Sequence, residues 1–212
     1  MIGRSLLRAA LVSAALVVPA LAAACGEAEP EPSQVTFHDV GEPYQAQPFA
    51  VDPVLIAEAE GICREPEMGM VPAGAQLVVV DARGENRLLL LFGGPGVDGQ
   101  CFLTRMADGR LVSEGGGSGM GNFQPDPGPN LIEDRGGGSQ SSIDETGKET
   151  SLSYSAGRVG PNVVRVVAVF ETGATVDASV NRGWFGLWWP GNAKLLGYRW
   201  FDGAGRLLGS SA

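Results

Sequence analysis

Apolar and polar positions alternate most cleanly near the C-terminus. Val176, Ala178 and Val180 alternate with Thr175, Asp177, Ser179 and Asn181, the period of two that predicts a half-buried strand. Just upstream, Val164, Val166, Ala168 and Phe170 interleave with Arg165, Val167, Val169 and Glu171, and Thr172-Gly173 predicts the turn between the two series. Val164, Val166, Phe170, Val176, Ala178 and Val180 are expected to share one apolar face. Beyond Asn181-Arg182-Gly183 come the aromatic run Trp184 to Trp189, then Tyr198, Trp200 and Phe201, then the turn Asp202-Gly203-Ala204-Gly205.

The same period appears earlier in the chain. Gln76 to Ala82 and Arg87 to Gly93 predict strands joined by the turn-like cluster Asp81-Ala82-Arg83-Gly84. Leu88 to Phe92 is apolar without interruption, which predicts a central strand or one covered by a helix. Gln100 to Arg105 and Arg110 to Ser113 flank Asp108-Gly109, a hairpin signal. One helix is predicted, opening at Asp52-Pro53 and closing at Cys63, with Asp as N-cap and Pro at the first helical position. Leu55, Ile56, Ala59 and Ile62 lie along its apolar face.

Glycine supplies 32 of the 212 residues, about twice the usual share, and it concentrates between 115 and 150. There Gly115-Gly116-Gly117 and Gly136-Gly137-Gly138 bracket Pro125, Pro127 and Pro129. With no periodicity and little to bury, this stretch is expected to be a linker or loop. The chain therefore divides into a leader at 1–24, a tether at 25–50, a helix with a first β region at 51–114, the Gly/Pro/Ser-rich stretch at 115–150, and a C-terminal β region at 151–212 packing with the first. The fold class is mainly β, built of antiparallel hairpins with one short N-terminal helix.

The leader carries Arg4 and Arg8, an apolar run from Ala9 to Leu21, and the small residues Ala22-Ala23-Ala24 immediately before Cys25. These are the parts of a secretory signal, and the run is shorter than the ~20 residues of a membrane-spanning helix. Leu21-Ala22-Ala23-Ala24-Cys25 resembles the lipobox of bacterial lipoprotein precursors, with Leu four residues before the cysteine and Ala three before it. That resemblance implies a diacylglyceryl group on Cys25, cleavage before it, and a protein held on the extracytoplasmic side of the cell membrane. Ala22-x-Ala24 also suits an ordinary signal peptidase, which would give plain secretion. A C-terminal stretch covers Gly157-Arg158-Val159, Trp188-Trp189-Pro190-Gly191 and Phe201 to Arg206. It resembles a segment of exported proteins of high-GC Gram-positive bacteria, and the resemblance brings no catalytic residues with it.

Export changes the meaning of the three cysteines. With Cys25 assigned to lipid, Cys63 and Cys101 remain as an even pair in an oxidising compartment and are expected to form a disulfide; two buried thiols are the alternative.

The formal charge of −9, more negative once Arg4 and Arg8 are cleaved away, argues against nucleic acid and against a basic lipid-binding patch. Contact with the membrane is expected through the N-terminal lipid. A Ser/His/Asp or zinc enzyme is disfavoured by a single histidine, His38, in the tether. No cofactor or metal is expected. Among the carboxylates, Asp126, Glu133, Asp134, Asp144 and Glu145 lie in the Gly-rich stretch, while Glu171 and Asp177 look outward. All four tryptophans fall at or after Trp184. On an extended segment Trp188 and Trp189 must point to opposite faces, so at least one faces away from the main core; a buried aromatic core is the first reading, and Trp184, Trp188 and Trp189 are the candidate partner-binding residues if the cluster is also a contact surface. The expected function is a non-enzymatic binding or scaffold module for a protein or an envelope glycan. A carboxylate-based hydrolase of envelope carbohydrate and a small-ligand binding protein are the other classes.

Overall fold

The structure, a computed structural model, describes residues 45–84, 86–120, 126–143 and 149–212. The leader, Cys25, His38, Asp144 and Glu145 lie outside the described residues.

One helix and twelve strands form the fold. Helix α1 spans Pro53–Cys63. The strands are β1 Gln76–Ala82, β2 Arg87–Gly94, β3 Val97–Arg105, β4 Leu111–Met120, β5 Ile132–Ile143, β6 Glu149–Val159, β7 Arg165–Phe170, β8 Thr175–Asp177, β9 Ser179–Asn181, β10 Trp184–Pro190, β11 Leu195–Phe201 and β12 Leu207–Ser210. They make three antiparallel sheets of four, ordered β1-β2-β3-β4, β5-β6-β10-β9 and β12-β11-β7-β8. The class read from the sequence, mainly β with one short helix, is the class observed.

The layers follow from the side-chain alternation. On β2, Leu88, Leu90 and Phe92 face α1, where they pack with Ala59, Cys63 and Leu103. Leu89 and Leu91 face the opposite way, onto Leu152 and Trp188 of the middle sheet. The uninterrupted apolar run thus marks a strand buried on both faces. The middle sheet is covered twice as well. Trp184 and Trp188 of β10 turn toward the first sheet, whereas Phe185, Leu187 and Trp189 turn toward Val166, Phe170 and Tyr198 of the third.

Local signals are placed as expected. The Asp52 carboxylate accepts the Val54 amide at 2.8 Å and Pro53 starts α1, a cap worth about 1 kcal/mol. Cys63 and Cys101 form a disulfide across a sequence separation of 38, tying α1 to β3. The chain 175–181, read as one strand, bends at Ala178, whose amide donates to Val166 O. Its first half pairs in the third sheet and its second in the middle sheet, the corner by which a strand passes between packed sheets. Arg182 and Gly183 close the β9–β10 hairpin with φ of 50° and 78°, the left-handed pair of a type I′ turn.

Two expectations need correction. The segment 115–150 contains the second half of β4 and all of β5, with Gly115–Gly117 and Gly137–Gly138 in register with β3 and β6. At Gly116 and Gly137 the facing backbone leaves no room for a side chain. A Cβ at Gly116 would lie 2.2 Å from Gln100 O, and one at Gly137 would lie 1.9 Å from Tyr154 O. The pairing is made by backbone, so composition and periodicity read it as loop. Second, Val164 does not join the apolar face: it precedes β7 and is 54% exposed, whereas Val166, Phe170, Val176 and Ala178 are buried.

The cluster Asp81-Ala82-Arg83-Gly84 at the end of β1 holds a buried ion pair. Asp81 and Ala82 belong to β1, and the Asp81 and Arg83 side chains are fully buried. Arg83 donates to Ala46 O at 2.7 Å and to Asp177 O. Asp81 accepts from Ser179 Oγ at 2.6 Å and from the Trp188 amide at 3.3 Å. One ion pair therefore joins the segment around Ala46 to all three sheets.

Candidate functional site

The three nominated tryptophans have different surroundings. Trp188 is sealed between the first and middle sheets, and Trp189 between the middle and third. Trp189 meets Phe170 edge-to-face at 5.1 Å and its indole N–H donates to Ala193 O at 3.1 Å. Trp200 is buried too, its N–H donating to Asn130 O at 2.8 Å. Trp184 is half-buried and lines a cleft of about 120 Å³ between the first and middle sheets. The residue spacing that forces Trp188 and Trp189 apart thus buries both, and of the three only Trp184 is left partly exposed.

The cleft is shaped by a bulge in β5. The register with β6 breaks between Asp134 and Gly137, so Arg135 and Gly136 together oppose Ala156. Gly136 takes φ 85°, a left-handed conformation suited to glycine, and its amide donates to Asp134 Oδ1 at 2.8 Å. A bulge re-aims the side chain beside it. Here Arg135 reaches Glu133 at 2.9 Å on its own strand and Asp98 at 3.5 Å on β3.

The rest of the lining is aromatic and amide. Gln100 Nε2 donates to the Tyr154 hydroxyl at 2.7 Å, and Phe102 backs the Tyr154 ring edge-to-face at 5.2 Å. Burial, and secondarily the Asp98 carboxylate, raises the Tyr154 phenol above its ordinary value, so it remains a neutral hydroxyl that both donates and accepts. Trp184 lies against Gly93, where a Cβ would be 2.6 Å from the indole. Arg158 sits over the Trp184 ring, 5.7 Å from its centroid, and is ion-paired with Asp126.

Sequence reasoning named Trp184 but missed Asp98, Gln100, Arg135 and Tyr154. The available signal was Asp134-Arg135-Gly136, a charged pair followed by glycine, which is a bulge signature once the segment is taken as strand. The acidic candidates do not converge on the cleft. Asp177 is paired with Arg165 at 2.6 Å, Glu171 is exposed in the β7–β8 turn, and Glu133 is tied to Arg135. Among the described residues, no group of three or more His, Cys, Asp or Glu side chains is arranged to hold a metal ion.

No protein-family model, curated protein or solved structure matches this chain.

Proposed function

We propose that this protein is a lipid-anchored, extracytoplasmic binding module that acts without catalysis and presents the Trp184 cleft to a component of the cell envelope. The lipobox-like end of the leader supports the anchor, and Cys25 would carry the lipid. Two acyl chains hold a protein stably at a membrane where one binds only marginally.

The observation that carries the binding role is the half-buried indole of Trp184, which lines the cleft at one end of β1. The described chain begins beside Arg83, with Phe49 N–H donating to Ala82 O and Ala46 O accepting from Arg83. That is one end of β1. Trp184 lies at the other, beside Gly93, which pairs with Gln76, and next to Arg182, which donates to Leu77 O. From Leu77 to Arg83 is about 20 Å of strand. The first described residues and the cleft therefore lie at opposite ends of β1. A half-buried tryptophan on an ordered strand is the residue type and setting of an interface anchor.

Two variants test this. Cys25→Ser should abolish lipid labelling and move the protein from the membrane fraction to the soluble one. The same exported Cys25→Ser chain should still be retained by washed envelope material, and adding Trp184→Ala should release it while the melting temperature stays nearly unchanged. Persistent labelling of Cys25→Ser would refute the anchor, and retention unaffected by Trp184→Ala would refute the binding role of the cleft.

A further inference from the structure

We infer that the cleft binds the pyranose ring of a neutral sugar; the inference rests on the binding role proposed above and names its ligand class.

Size is the first constraint. At about 120 Å³ the cleft is well below the roughly 300–1,000 Å³ of sites that take drug-sized molecules. It has the scale of one ring or one chain terminus.

Charge is the second. Arg135 is paired with both Asp98 and Glu133, a group with one surplus negative charge, and Arg158 is paired with Asp126. A phosphate or carboxylate ligand would compete with those carboxylates for the guanidinium and would meet Asp98 as a like charge. The site therefore selects against anions, and an uncharged ligand displaces none of these pairs.

Hydrogen-bonding capacity is the third. Asp98 supplies acceptors, Arg135 donors, and Gln100 and Tyr154 both. An apolar ligand would cover these groups without satisfying them, at a desolvation cost for each. A set of hydroxyls satisfies donors and acceptors together, because each hydroxyl does both. The lining also offers carbon, in the indole of Trp184, the ring of Tyr154, Leu91 and Ala156. A pyranose presents this combination, with hydroxyls around its rim and C–H groups on its faces that pack against aromatic carbon. The orientation of Arg135 by the β5 bulge and the Gln100–Tyr154 hydrogen bond hold the polar side in place before a ligand arrives, which lowers the ordering cost of binding.

The test uses the four indole N–H signals of the exported Cys25→Ser chain in two-dimensional NMR. Methyl glucopyranoside, methyl galactopyranoside, methyl mannopyranoside and N-acetylglucosamine are the probes, with inorganic phosphate and sodium acetate as charged controls. At least one sugar should shift the Trp184 indole saturably, while the sealed Trp188, Trp189 and Trp200 indoles stay fixed. Gln100→Ala and Asp98→Ala should each weaken that sugar about tenfold, the loss expected for one removed hydrogen-bonding partner. Absence of a saturable Trp184 shift with every sugar overturns the inference, as does a saturable shift produced by phosphate or acetate alone. The wild-type titration decides this even where a variant fails to fold.

Co-sedimentation with insoluble cell-wall glycan, with the responding monosaccharide as competitor, separates the two sources of such a ring. Competed pelleting assigns it to an envelope polymer, and monosaccharide binding without pelleting assigns it to a free sugar; both support recognition of the ring. Trp184-dependent retention on envelope material without any sugar-induced shift would leave the binding module standing and refute the sugar.

Discussion

The guanidinium of Arg83 and the carboxylate of Asp81 meet in a two-pronged contact, Nε to Oδ2 at 2.7 Å and Nη2 to Oδ1 at 2.9 Å, with both side chains fully out of solvent. Two residues apart along an extended chain, they lie on one face of the strand, which turns both toward the junction of the sheets. Paired, hydrogen-bonded charges avoid the large cost of an isolated buried ion. Their further partners belong to the segment before α1 and to the middle and third sheets, so the pair fixes how those layers meet.

Removing one member should therefore be far worse than removing both. Arg83→Met leaves a buried carboxylate without its counter-charge and is expected to cost about 3–5 kcal/mol. Arg83→Met combined with Asp81→Leu should recover a large part of that loss, because no orphan charge remains. Urea unfolding of the exported Cys25→Ser chain carrying each change measures both quantities. A single-variant cost below about 1 kcal/mol, the scale of an exposed pair, would show that the junction is wet.

The staple between α1 and β3 is the second testable element. The bond closes a sequence separation of 38, and on the chain-entropy model its loss costs roughly 3–4 kcal/mol. Cys63→Ala with Cys101→Ala should lower the melting temperature accordingly and loosen α1 first, since its contacts with β2 and β3 form a separate cluster from the other two cores. Hydrogen exchange would show this as faster exchange in 53–63 than in β10. Uniform loosening of both segments would count against an independent role for the staple.

Much of this architecture was legible in the residues. The bounds of β1 and α1, the Thr172-Gly173 hairpin and the cysteine pair all came from local signals with local causes. Two-sided burial of Leu88 to Phe92 was also legible, because only a covered strand tolerates apolar residues on both faces. What escaped had non-local causes. Gly116 and Gly137 are strand residues because another chain segment approaches closely, and glycine carries no side chain to display a period. Arg135 reaches the cleft only through a bulge, and Asp98 becomes its partner only when β3 and β5 stack. Asp81 and Arg83 read as turn residues because charge is usually solvated, and nothing local announces the partners that bury them.

Alkaline pH probes the interface of the middle and third sheets. Tyr198 is buried there, with its hydroxyl 2.5 Å from Ser155 Oγ, and burial pushes its phenol well above the ordinary value. A phenol that holds its proton more tightly when folded contributes stability that is intact below the unfolded tyrosine value of about 10 and is lost as the pH rises above it. Stability should accordingly be flat through neutrality on this account and fall beyond about pH 10. Tyr198→Phe should cost about 1 kcal/mol at neutral pH for the lost hydrogen bond and make the alkaline decline shallower. Ser155 keeps Gly136 O as an acceptor at 3.2 Å, so the substitution leaves its hydroxyl partnered. A decline unchanged in Tyr198→Phe would assign it to other groups.

Trp184 and Trp188 provide the sharpest contrast, because they lie on the same face of β10 four residues apart and differ in what covers them. Trp188 packs against Leu89, Leu91 and Phe102 in the seam of the first and middle sheets and is 3% exposed. Truncating it should open a cavity and cost about 3–5 kcal/mol, a large share of the 5–15 kcal/mol typical of a folded domain. Trp184 lines the cleft, half-buried against Gly93, so its truncation removes less buried surface and leaves a space that water already reaches. Trp184→Ala should cost about 1 kcal/mol, near the centre of the range for single substitutions, while Trp188→Ala unfolds a substantial fraction of the protein at modest urea. Tryptophan fluorescence gives a second readout: an aqueous quencher should reach the Trp184 indole and spare the other three. Equal destabilisation by the two truncations, or a Trp184→Ala protein whose quenching matches the wild type, would place Trp184 in the core and remove the aromatic wall of the cleft as a binding surface.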